Sequence, residues 1–354
     1  MADLSIITSN QSDLVKCVAF SPDGFFIAYG SADNTVKIRI FDTGKIFQTL
    51  TGHTAIVNTV AFSPDGIYVV TGSADGTVKK WLIETGNVIT NVVDAFAKSV
   101  AVSPDDGEMI AMGSADETVK IRRSANSLSI KGHTGSVNCV AFSTGGQYIA
   151  SGSDDKRVII WSTPTPTNNE VQVIKILEGR TGHTGSVNCV AFLPKAADFL
   201  ISGSNDKTLK IWNIDTGHIV STLIGHTNAV TSVVFHPNGL YAISGSRDNT
   251  LIIWSMDSLE KIRTLTGHTG HVNSVAFRAA IKPDDENYVA SGSNDGTMKL
   301  WPIDEILSNT ISGGHKKTRR RRRITFKKMQ KTVRRKLVAK RKTKRRLVKH
   351  SIFV

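Results

Sequence analysis

Five stretches of the 354-residue chain carry the same four side chains in the same order: histidine, serine or threonine, aspartate and tryptophan. The hydroxyl follows the histidine by 18 to 23 residues, the aspartate follows four residues later, and the tryptophan six residues after that. The five sets are His53, Thr71, Asp75 and Trp81; His133, Ser151, Asp155 and Trp161; His183, Ser202, Asp206 and Trp212; His226, Ser244, Asp248 and Trp254; and His268, Ser291, Asp295 and Trp301. A hydroxyl, an imidazole and a carboxylate are the groups of a hydrolase's catalytic triad, so nucleophilic catalysis is the first chemistry to consider.

The fivefold recurrence argues against catalysis and for a structural network. A triad requires an exposed nucleophile beside an oxyanion hole, and one chain does not need five active sites. The same groups can bond one another inside the protein, because the carboxylate fixes one imidazole nitrogen while the hydroxyl bonds the other nitrogen or the indole N–H. We therefore predict five buried networks, called tetrads below, with no catalytic residue and no enzymatic activity.

The tetrads belong to a longer internal repeat. The eleven residues GHTGSVNCVAF at 132–142 recur unchanged at 182–192, and looser versions begin at Gly52, Gly225 and Gly267. Aligned on V-x-x-V-A-F, seven units follow one another at steps of 42, 40, 40, 50, 43 and 42 residues. Self-similarity at such a period indicates a repeat architecture in which stacked units share one continuous core.

Each unit consists of short β-strands separated by turns. In unit 2 the sequence predicts four strands, Val57–Phe62, Ile67–Thr71, Thr77–Leu82 and Asn87–Asn91. The first two turns between them are Ser-Pro-Asp-Gly and Gly-Ser-Ala-Asp-Gly, both rich in turn-forming residues. Four short strands in about 40–45 residues is the pattern of a propeller blade.

These units resemble WD40 repeats. The resemblance rests on the Gly-His pair, the Ser-Pro-Asp-Gly turn, the Gly-Ser-x-Asp turn and the tryptophan six residues after that aspartate, which recur across residues 1–312. It implies an all-β fold, a seven-bladed β-propeller. It also implies that the N-terminal strand, at Leu4 to Thr8, completes the last blade by pairing beyond Thr297 to Trp301, which removes open sheet edges.

The residue after each tetrad tryptophan departs from the Trp-Asp pair that gives the family its name. It is Leu82, Ser162, Asn213, Ser255 or Pro302. The Trp-Asp-x-Arg box of propellers that recruit substrates to cullin ubiquitin ligases is therefore absent. This disfavours a role as a ubiquitin-ligase substrate receptor.

Units 1 and 3 lack most of the tetrad. Their substitutes are Gln11, Tyr29 and Arg39 in unit 1, and Val93, Met112 and Arg122 in unit 3. Only the aspartates, Asp33 and Asp116, remain. Joint loss is expected of a cooperative network, because a half-satisfied buried network is worse than none. Two alternatives follow: these blades are held by apolar packing alone, or their arginines form a specialised partner surface.

The sequence indicates a binding surface and no metal or cofactor site. It contains no phosphate-binding glycine loop, no His-Cys ligand spacing and no paired-carboxylate motif. In the family that the repeats resemble, the face made by the Gly-His and Gly-Ser-x-Asp loops docks partners. On that face we select Lys16, Lys98, Arg247 and His271 as candidate residues for binding a peptide or protein. The alternative is a solvated polar rim without a partner, since the ring has few hot-spot aromatics.

Charge divides the chain into a body and a tail. The chain has a net charge of +14, but 20 of its 44 lysines and arginines, and no acidic residue, fall at 313–354. The body at 1–312 thus holds 24 basic against 30 acidic residues. Its cysteines, Cys17, Cys139 and Cys189, share one repeat position and are expected to be buried strand residues in a reducing compartment. Neither a signal peptide nor a transmembrane segment is expected.

The basic tail suggests several ligands. Its main clusters are Lys316, Lys317, Arg319, Arg320, Arg321, Arg322, Arg323, Arg334, Arg335, Lys336, Lys340, Arg341 and Lys342. Such clusters resemble nuclear or nucleolar localisation signals read by an importin-type receptor, and they also suit RNA phosphates. A membrane surface and a purely solubilising role are the remaining alternatives. Because its like charges repel one another, the isolated tail is expected to be disordered. Phe326, Met329, Val333 and Leu337 nevertheless fall at helical spacing, so 324–347 could fold as a basic amphipathic helix against a partner.

Together these features predict a non-enzymatic scaffold. Its propeller, monomeric within a complex, would bind proteins while its tail directs it to the nucleus or nucleolus or binds RNA. A cytoplasmic or membrane-associated signalling adaptor is the main alternative.

Overall fold

The computed structural model describes residues 6–7, 14–93, 97–124, 126–165, 170–194, 196–280 and 285–311. Within these ranges the chain forms 28 strands in seven four-stranded antiparallel sheets, followed by one helix. The prediction of an all-β, seven-bladed propeller is confirmed. The predicted tail at 313–354 lies outside the described residues.

The strands fall into seven consecutive blades. Blade 1 has β2 Val15–Phe20, β3 Phe26–Ser31, β4 Val36–Ile40 and β5 Ile46–Leu50; blade 2 has β6 Val57–Phe62, β7 Tyr68–Ser73, β8 Thr77–Leu82 and β9 Val88–Val93. Blade 3 has β10 Ala97–Val102, β11 Met109–Ser114, β12 Val119–Arg123 and β13 Asn126–Ile130; blade 4 has β14 Val137–Phe142, β15 Tyr148–Ser153, β16 Val158–Ser162 and β17 Val173–Leu177. Blade 5 has β18 Val187–Phe192, β19 Phe199–Ser204, β20 Thr208–Asn213 and β21 His218–Ile224; blade 6 has β22 Val230–Phe235, β23 Tyr241–Ser246, β24 Leu251–Ser255 and β25 Lys261–Leu265. Blade 7 has β26 Val272–Arg278, β27 Tyr288–Ser293 and β28 Met298–Pro302, together with β1 Ile6–Ile7, and helix α1 is Ile303–Ile311.

Blade 7 takes its outer strand from the start of the chain. β1 pairs antiparallel with β28, with Ile6 opposite Lys299 and Ile7 opposite Met298. This pairing covers the backbone edge of β28 that would otherwise be open. The junction is also bonded at its inner strand, where the Val18 N–H donates to Ser274 Oγ at 3.2 Å.

Each blade packs against the next through a glycine. The glycine near the end of each second strand faces the first residue of the next blade, so that a Cβ at Gly152 would lie 2.5 Å from Val187 Cγ1. The corresponding distance from Gly292 to Val15 Cγ1, across the ring closure, is also 2.5 Å. Such distances leave no room for a side chain, so the repeated glycine is required by close packing.

The third position of each inner strand holds either a hydroxyl residue or a cysteine. Where it is a hydroxyl residue, the hydroxyl accepts a backbone N–H from an adjacent inner strand, as in Val100 N–H to Thr59 Oγ1 at 3.2 Å. Where it is cysteine, the thiol is free and buried. Burial raises the pKa of Cys17 and Cys189 to about 12, which keeps both thiols protonated and unreactive.

The propeller has two faces with different connections. We label the strands of each blade A to D from the centre outwards; because they are antiparallel, the A–B and C–D connections lie on one face, the AB/CD face. The B–C turns and the D–A connections lie on the other, the BC/DA face. The A–B turns of successive blades meet, since a Cβ at Gly107 would lie 3.0 Å from Pro64 Cδ and one at Gly146 3.0 Å from Asp105 Cγ.

Helix α1 was not predicted from the sequence. It follows strand C of blade 7 and therefore begins on the AB/CD face. Ile303 and Leu307 are buried against blades 6 and 7, while Asp304 and Glu305 occupy the first turn, where negative charge suits the helix dipole. Across the described ranges, no helix combines the length and apolar character needed to cross a membrane.

The strand bounds predicted for unit 2 are close to those observed. β6 and β8 match, whereas β7 begins one residue later and ends two residues later than predicted. Val92 and Val93 stand at the position where other units carry Gly-His, and β9 therefore continues to Val93.

Candidate functional site

Each tetrad is a linear series of hydrogen bonds. In blade 2, Trp81 Nε1–H donates to Thr71 Oγ1 at 2.8 Å, and Thr71 Oγ1 lies 2.8 Å from His53 Nε2. His53 Nδ1 lies 2.7 Å from Asp75 Oδ2. A carboxylate only accepts, so Nδ1 carries the proton; in a neutral ring Nε2 is then the acceptor for the hydroxyl proton. One hydroxyl thus accepts from tryptophan and donates to histidine.

The other four tetrads repeat this geometry. The histidine–aspartate, histidine–hydroxyl and tryptophan–hydroxyl distances all lie between 2.7 and 2.9 Å in the sets of His133, His183, His226 and His268. Each aspartate also accepts a backbone N–H from the residue after its histidine, such as Thr54 N–H to Asp75 at 3.0 Å. The tetrad therefore ties the B–C turn and strands B and C to the connection that leads in from the previous blade.

The tetrad hydroxyls cannot act as nucleophiles. Thr71 and the four tetrad serines are 0 % exposed, and each is bonded to both histidine and tryptophan. A substrate could not reach the oxygen without dismantling the blade. The arrangement holds strands together and contains no accessible triad.

Burial and hydrogen bonding set the protonation of the tetrads. Partial burial acts to raise the pKa of Asp75, but hydrogen bonds from Thr77, Thr54 and His53 prevail and hold it well below its usual range. The other four tetrad aspartates are lowered in the same way. Desolvation lowers the pKa of His53 and His268, outweighing the raising effect of their aspartates. Each of these two pairs is therefore a neutral imidazole bonded to a carboxylate.

Blade 1 replaces its tetrad with a different polar arrangement. Arg39 Nε and Nη2 each donate to Tyr29 Oη at 3.1 Å, and Nη1 donates to the Gly44 carbonyl at 2.8 Å. Asp33, deprived of a histidine, forms an ion pair with Lys37. The expectation that this blade is held by apolar contacts alone is wrong, because the buried tyrosine brings a hydroxyl that needs a partner. The contacts of Arg39 are internal, which weakens the alternative of an arginine partner surface.

Blade 3 has an Asp–Lys ion pair like that of blade 1, but it has no equivalent of the contact between Arg39 and Tyr29. Lys120 Nζ lies 2.8 Å from Asp116, whose pKa falls to about 2 because the lysine and nearby hydroxyl and backbone donors outweigh desolvation. Met112 is buried, whereas Arg122 is directed to the Ser124 carbonyl at 3.1 Å. Val93, at the histidine position, is 84 % exposed. A lysine four residues after the aspartate does not by itself signal these ion pairs, because Lys79, Lys210 and Lys299 hold the same position in three blades that keep the tetrad. Gln11 lies outside the described residues.

The inner rim of the BC/DA face is joined from blade to blade by asparagines. Asn188 Nδ2 donates to Asn205 Oδ1 at 2.9 Å and to the Val230 carbonyl of the next blade at 2.7 Å. Asn138 and Asn273 make equivalent bridges, the latter to the Val15 carbonyl at 2.8 Å. Sequence reasoning selected this ring as a docking or solvated surface and missed its role in joining the blades, since the bridged carbonyl lies in another unit.

The four selected docking residues have different surroundings. Lys98 Nζ donates to Asn138 Oδ1 at 2.9 Å and lies 3.8 Å from Asp154, so its charge is compensated within the rim. Among the described residues, Lys16 Nζ has one hydrogen-bond contact, a long one of 3.5 Å to Asn294 Oδ1. Desolvation lowers its pKa first, and the positive charge of Arg247 lowers it further. Arg247 and His271 are exposed on the neighbouring blades 6 and 7.

Two further findings concern possible ligand sites: an apolar recess, and the lack of a metal-ligating cluster among the described residues. An apolar recess of about 340 Å³ opens on the AB/CD face among the ends of the inner strands, lined by Phe62, Val102, Phe142 and Phe192 and their neighbours. Over the described ranges, no group of three or more histidine, cysteine, aspartate or glutamate side chains could hold a metal ion. The predicted tail residues, from Lys316 to Lys342, lie outside these ranges.

The neutral histidines predict a pH dependence of stability. Because burial lowers the pKa of His53 and His268 below about 6.5, the value expected in the unfolded chain, the unfolded state binds more protons below that pH. Stability should therefore fall as the pH decreases from 7.5 to 5.5. The lowered aspartate pKa values contribute stability that is lost only below about pH 4.

This prediction is checked by urea unfolding midpoints at pH 7.5, 6.5 and 5.5. A His53→Gln variant, which removes one of the two groups, should show a shallower decrease than the native chain. A midpoint that rises toward pH 5.5 would mean that the histidines are charged partners of their aspartates, contrary to the geometry described above.

Sequence comparisons agree with the architecture. The family model described as TEP-1 second beta-propeller matches residues 112–303, more than half of the chain. The WD domain, G-beta repeat model matches residues 3–39 and 44–81. Together the two matches cover repeats before and after blade 3, which lacks most of the tetrad.

Curated relatives are similar over the same region. The nuclear distribution protein PAC1 of Coccidioides posadasii is 31% identical over 254 residues, covering 64% of this chain and 54% of the relative. The PAC1 protein of Ajellomyces capsulatus is 32% identical, covering 66% and 56%. The lissencephaly-1 homolog of Caenorhabditis briggsae is 34% identical over 111 residues, covering 31% and 26%. The chain thus spans about half the length of the PAC1 relatives it matches. With seven repeats, five of them carrying a tetrad, seven blades and a family match over most of them, the chain belongs to the WD40-repeat β-propeller family.

Proposed function

We propose that the chain is a non-enzymatic adaptor whose BC/DA face binds an acidic segment of a protein partner beside Lys16 and Arg247. The observation that carries this proposal is that Arg247 repels the charge of Lys16 electrostatically and that neither cation has a counter-charge among the described residues. Among the described residues, no carboxylate lies within ion-pair distance of either side chain. The compensated Lys98, on the same rim, is not part of the proposed contact.

The electrostatics of this pair favour an anionic ligand. Lys16 is half-buried, and desolvation together with the charge of Arg247 disfavours its charged form. A carboxylate placed between the two cations would relieve that repulsion and gain charge-assisted hydrogen bonds. Charge complementarity of this kind contributes chiefly to specificity and association rate. His271, exposed on the adjacent blade, extends the same surface.

The relatives support a protein-binding role. They share the propeller region of this chain. The resemblance to WD40 repeats implies that the BC/DA face is the docking surface. A signalling adaptor remains compatible with this proposal, whereas the missing Trp-Asp-x-Arg box disfavours a ubiquitin-ligase receptor.

The docking proposal predicts a selective loss of partners. The double variant Lys16→Gln and Arg247→Gln should lose at least tenfold in recovery of the partners that co-purify with the full chain from cell extract. Lys98→Gln, the matched control on the same rim, should retain them, because its charge is already compensated. The readout is isotope-labelled quantitative mass spectrometry, with thermal unfolding to check that all three chains fold equally. Identical partner sets for the native chain, the double variant and the control would contradict the proposal.

We further propose that the segment 313–354 determines where the chain resides, through an importin-type receptor, with RNA as a second ligand. The support is its 20 uncompensated positive charges, which suit either a receptor with acidic grooves or a phosphate backbone. The cytoplasm is the alternative location.

Imaging separates these locations. The full chain should concentrate in the nucleus or nucleolus, while a chain ending at Ser312 should be evenly distributed or cytoplasmic. A full-length variant with Arg319 to Arg323 changed to glutamine tests charge without changing length, and it should resemble the shortened chain. If all three chains are equally cytoplasmic, nuclear targeting by the segment is wrong.

A further inference from the structure

The two faces of the propeller differ strongly in charge. The described A–B and C–D connections, with helix α1, carry sixteen carboxylates and a single cation, Lys45. The carboxylates are Asp23, Asp42, Asp65, Glu84, Asp105, Asp106, Glu108, Glu170, Asp198, Asp215, Asp257, Glu260, Asp285, Glu286, Asp304 and Glu305. The described B–C and D–A connections carry ten carboxylates and six cations, and five of those carboxylates belong to tetrads. The AB/CD face is therefore the acidic face of a body with a small net charge.

Strand residues compensate this acidity only in part. Arg123 lies 2.7 Å from Asp106 and 3.7 Å from Glu108. Arg278 lies 3.0 Å from Asp285. Glu84, Asp257 and Glu260 are exposed and form no ion pair with any described residue. A surface with this excess of one sign attracts a ligand of the opposite sign.

The chain continues from this same face into its most basic segment. Helix α1 begins at the end of strand C of blade 7, and its buried Ile303 and Leu307 fix it there. The 42 residues at 313–354 carry 20 lysines and arginines and no acidic residue. For comparison, a random-coil chain of 42 residues has an end-to-end distance of roughly 35 Å. A tether of that reach gives an effective local concentration on the order of millimolar.

We propose that residues 313–354 bind back onto the acidic AB/CD face of their own propeller. The proposal goes beyond the docking function and does not depend on it, because it concerns the opposite face. Many weak pairs at the surface act together here, and tethering supplies the concentration that free peptides would lack. The contact weakens as salt rises, since screening shortens the range of charge interactions to about 8 Å at 0.15 M ionic strength.

The apolar recess on this face adds a site for side chains other than lysine and arginine. It lies among the ends of the inner strands β6, β10, β14 and β18, and Phe62, Val102 and Phe142 line it. Six inner strands end in phenylalanine or continue one residue past it, and blade 3 has the smaller Val102. The apolar residues of the segment, such as Phe326 and Leu337, match this recess in character. Occupying the face would withdraw the segment from a transport receptor or RNA until that ligand competes for it.

Zero-length cross-linking of the full chain tests the contact. A carbodiimide joins carboxylates to lysine amines, and a mixture of ¹⁴N and ¹⁵N chains separates contacts within one chain from contacts between two copies. At 50 mM salt we expect links from lysines of 313–354 to Glu84, Asp257 and Glu260 within the same chain. Their yield should be at least fivefold that of links to Glu117 and Glu178, which are exposed on the BC/DA face, and should fall at least fivefold at 500 mM salt. Equal yields on both faces, absence of links, or mainly mixed-isotope links would each overturn the proposal.

A pair of charge-matched variants gives a second readout. Glu84→Lys with Glu260→Lys reverses two charges on the AB/CD face, and Glu117→Lys with Glu178→Lys reverses two on the other. Brief trypsin digestion of the full-length chains should cut within 313–354 at least threefold faster in the first variant and at the native rate in the second. Equal rates in both variants would overturn the proposal, whether both increase or neither does.

Discussion

One buried hydroxyl in each of five blades is the interaction on which most of this structure depends. It accepts the tryptophan N–H, lies at 2.7–2.8 Å from the histidine ring and thereby connects the centre of the sheet to the aspartate of the B–C turn. Without it, two ring nitrogens in the interior would lose their partners at once, and leaving such groups unsatisfied costs about 1–3 kcal/mol each. The same series of hydrogen bonds holds the D–A connection that leads into the blade. It therefore fixes the geometry of the BC/DA face as well.

The two blades without a tetrad show what the constraint demands when its parts are missing. The turn aspartate remains in both, and in both the lysine four residues later pairs with it, whereas the tetrad blades have a histidine as its partner. Blade 1 adds the Tyr29–Arg39 contact, while blade 3 fills the same position with the apolar Met112. Blades 1 and 3 thus keep the aspartate of the B–C turn and change the buried side chains. Five blades with a tetrad and two without one form a single ring.

The fold and the tetrads could be predicted because both are encoded by residues that repeat at fixed spacing within one unit. Contacts between units were harder to foresee. The Asn188 bridge to Val230, the compensation of Lys98 by Asp154 and helix α1 each depend on which residues the ring brings together. The asparagine recurs at one repeat position, but the sequence does not show which carbonyl of the next unit it contacts. The acidity of the AB/CD face was equally hidden, since its carboxylates are scattered along the chain and share a face only because antiparallel strands return every second connection to it. The character of 313–354 was evident from its charge, but what it contacts was not.

The central claim, that the tetrad hydroxyl is a structural bridge, is tested most directly by two substitutions at Thr71. Thr71→Val keeps the shape and removes the hydroxyl, whereas Thr71→Ser keeps the hydroxyl and removes a methyl group. Urea unfolding at pH 7.5 should show a loss of about 2–4 kcal/mol for valine, since Trp81 and His53 both lose a partner, and of less than about 1.5 kcal/mol for serine. Equal losses for the two variants, or a smaller loss for valine, would contradict the claim that this hydroxyl holds the blade together.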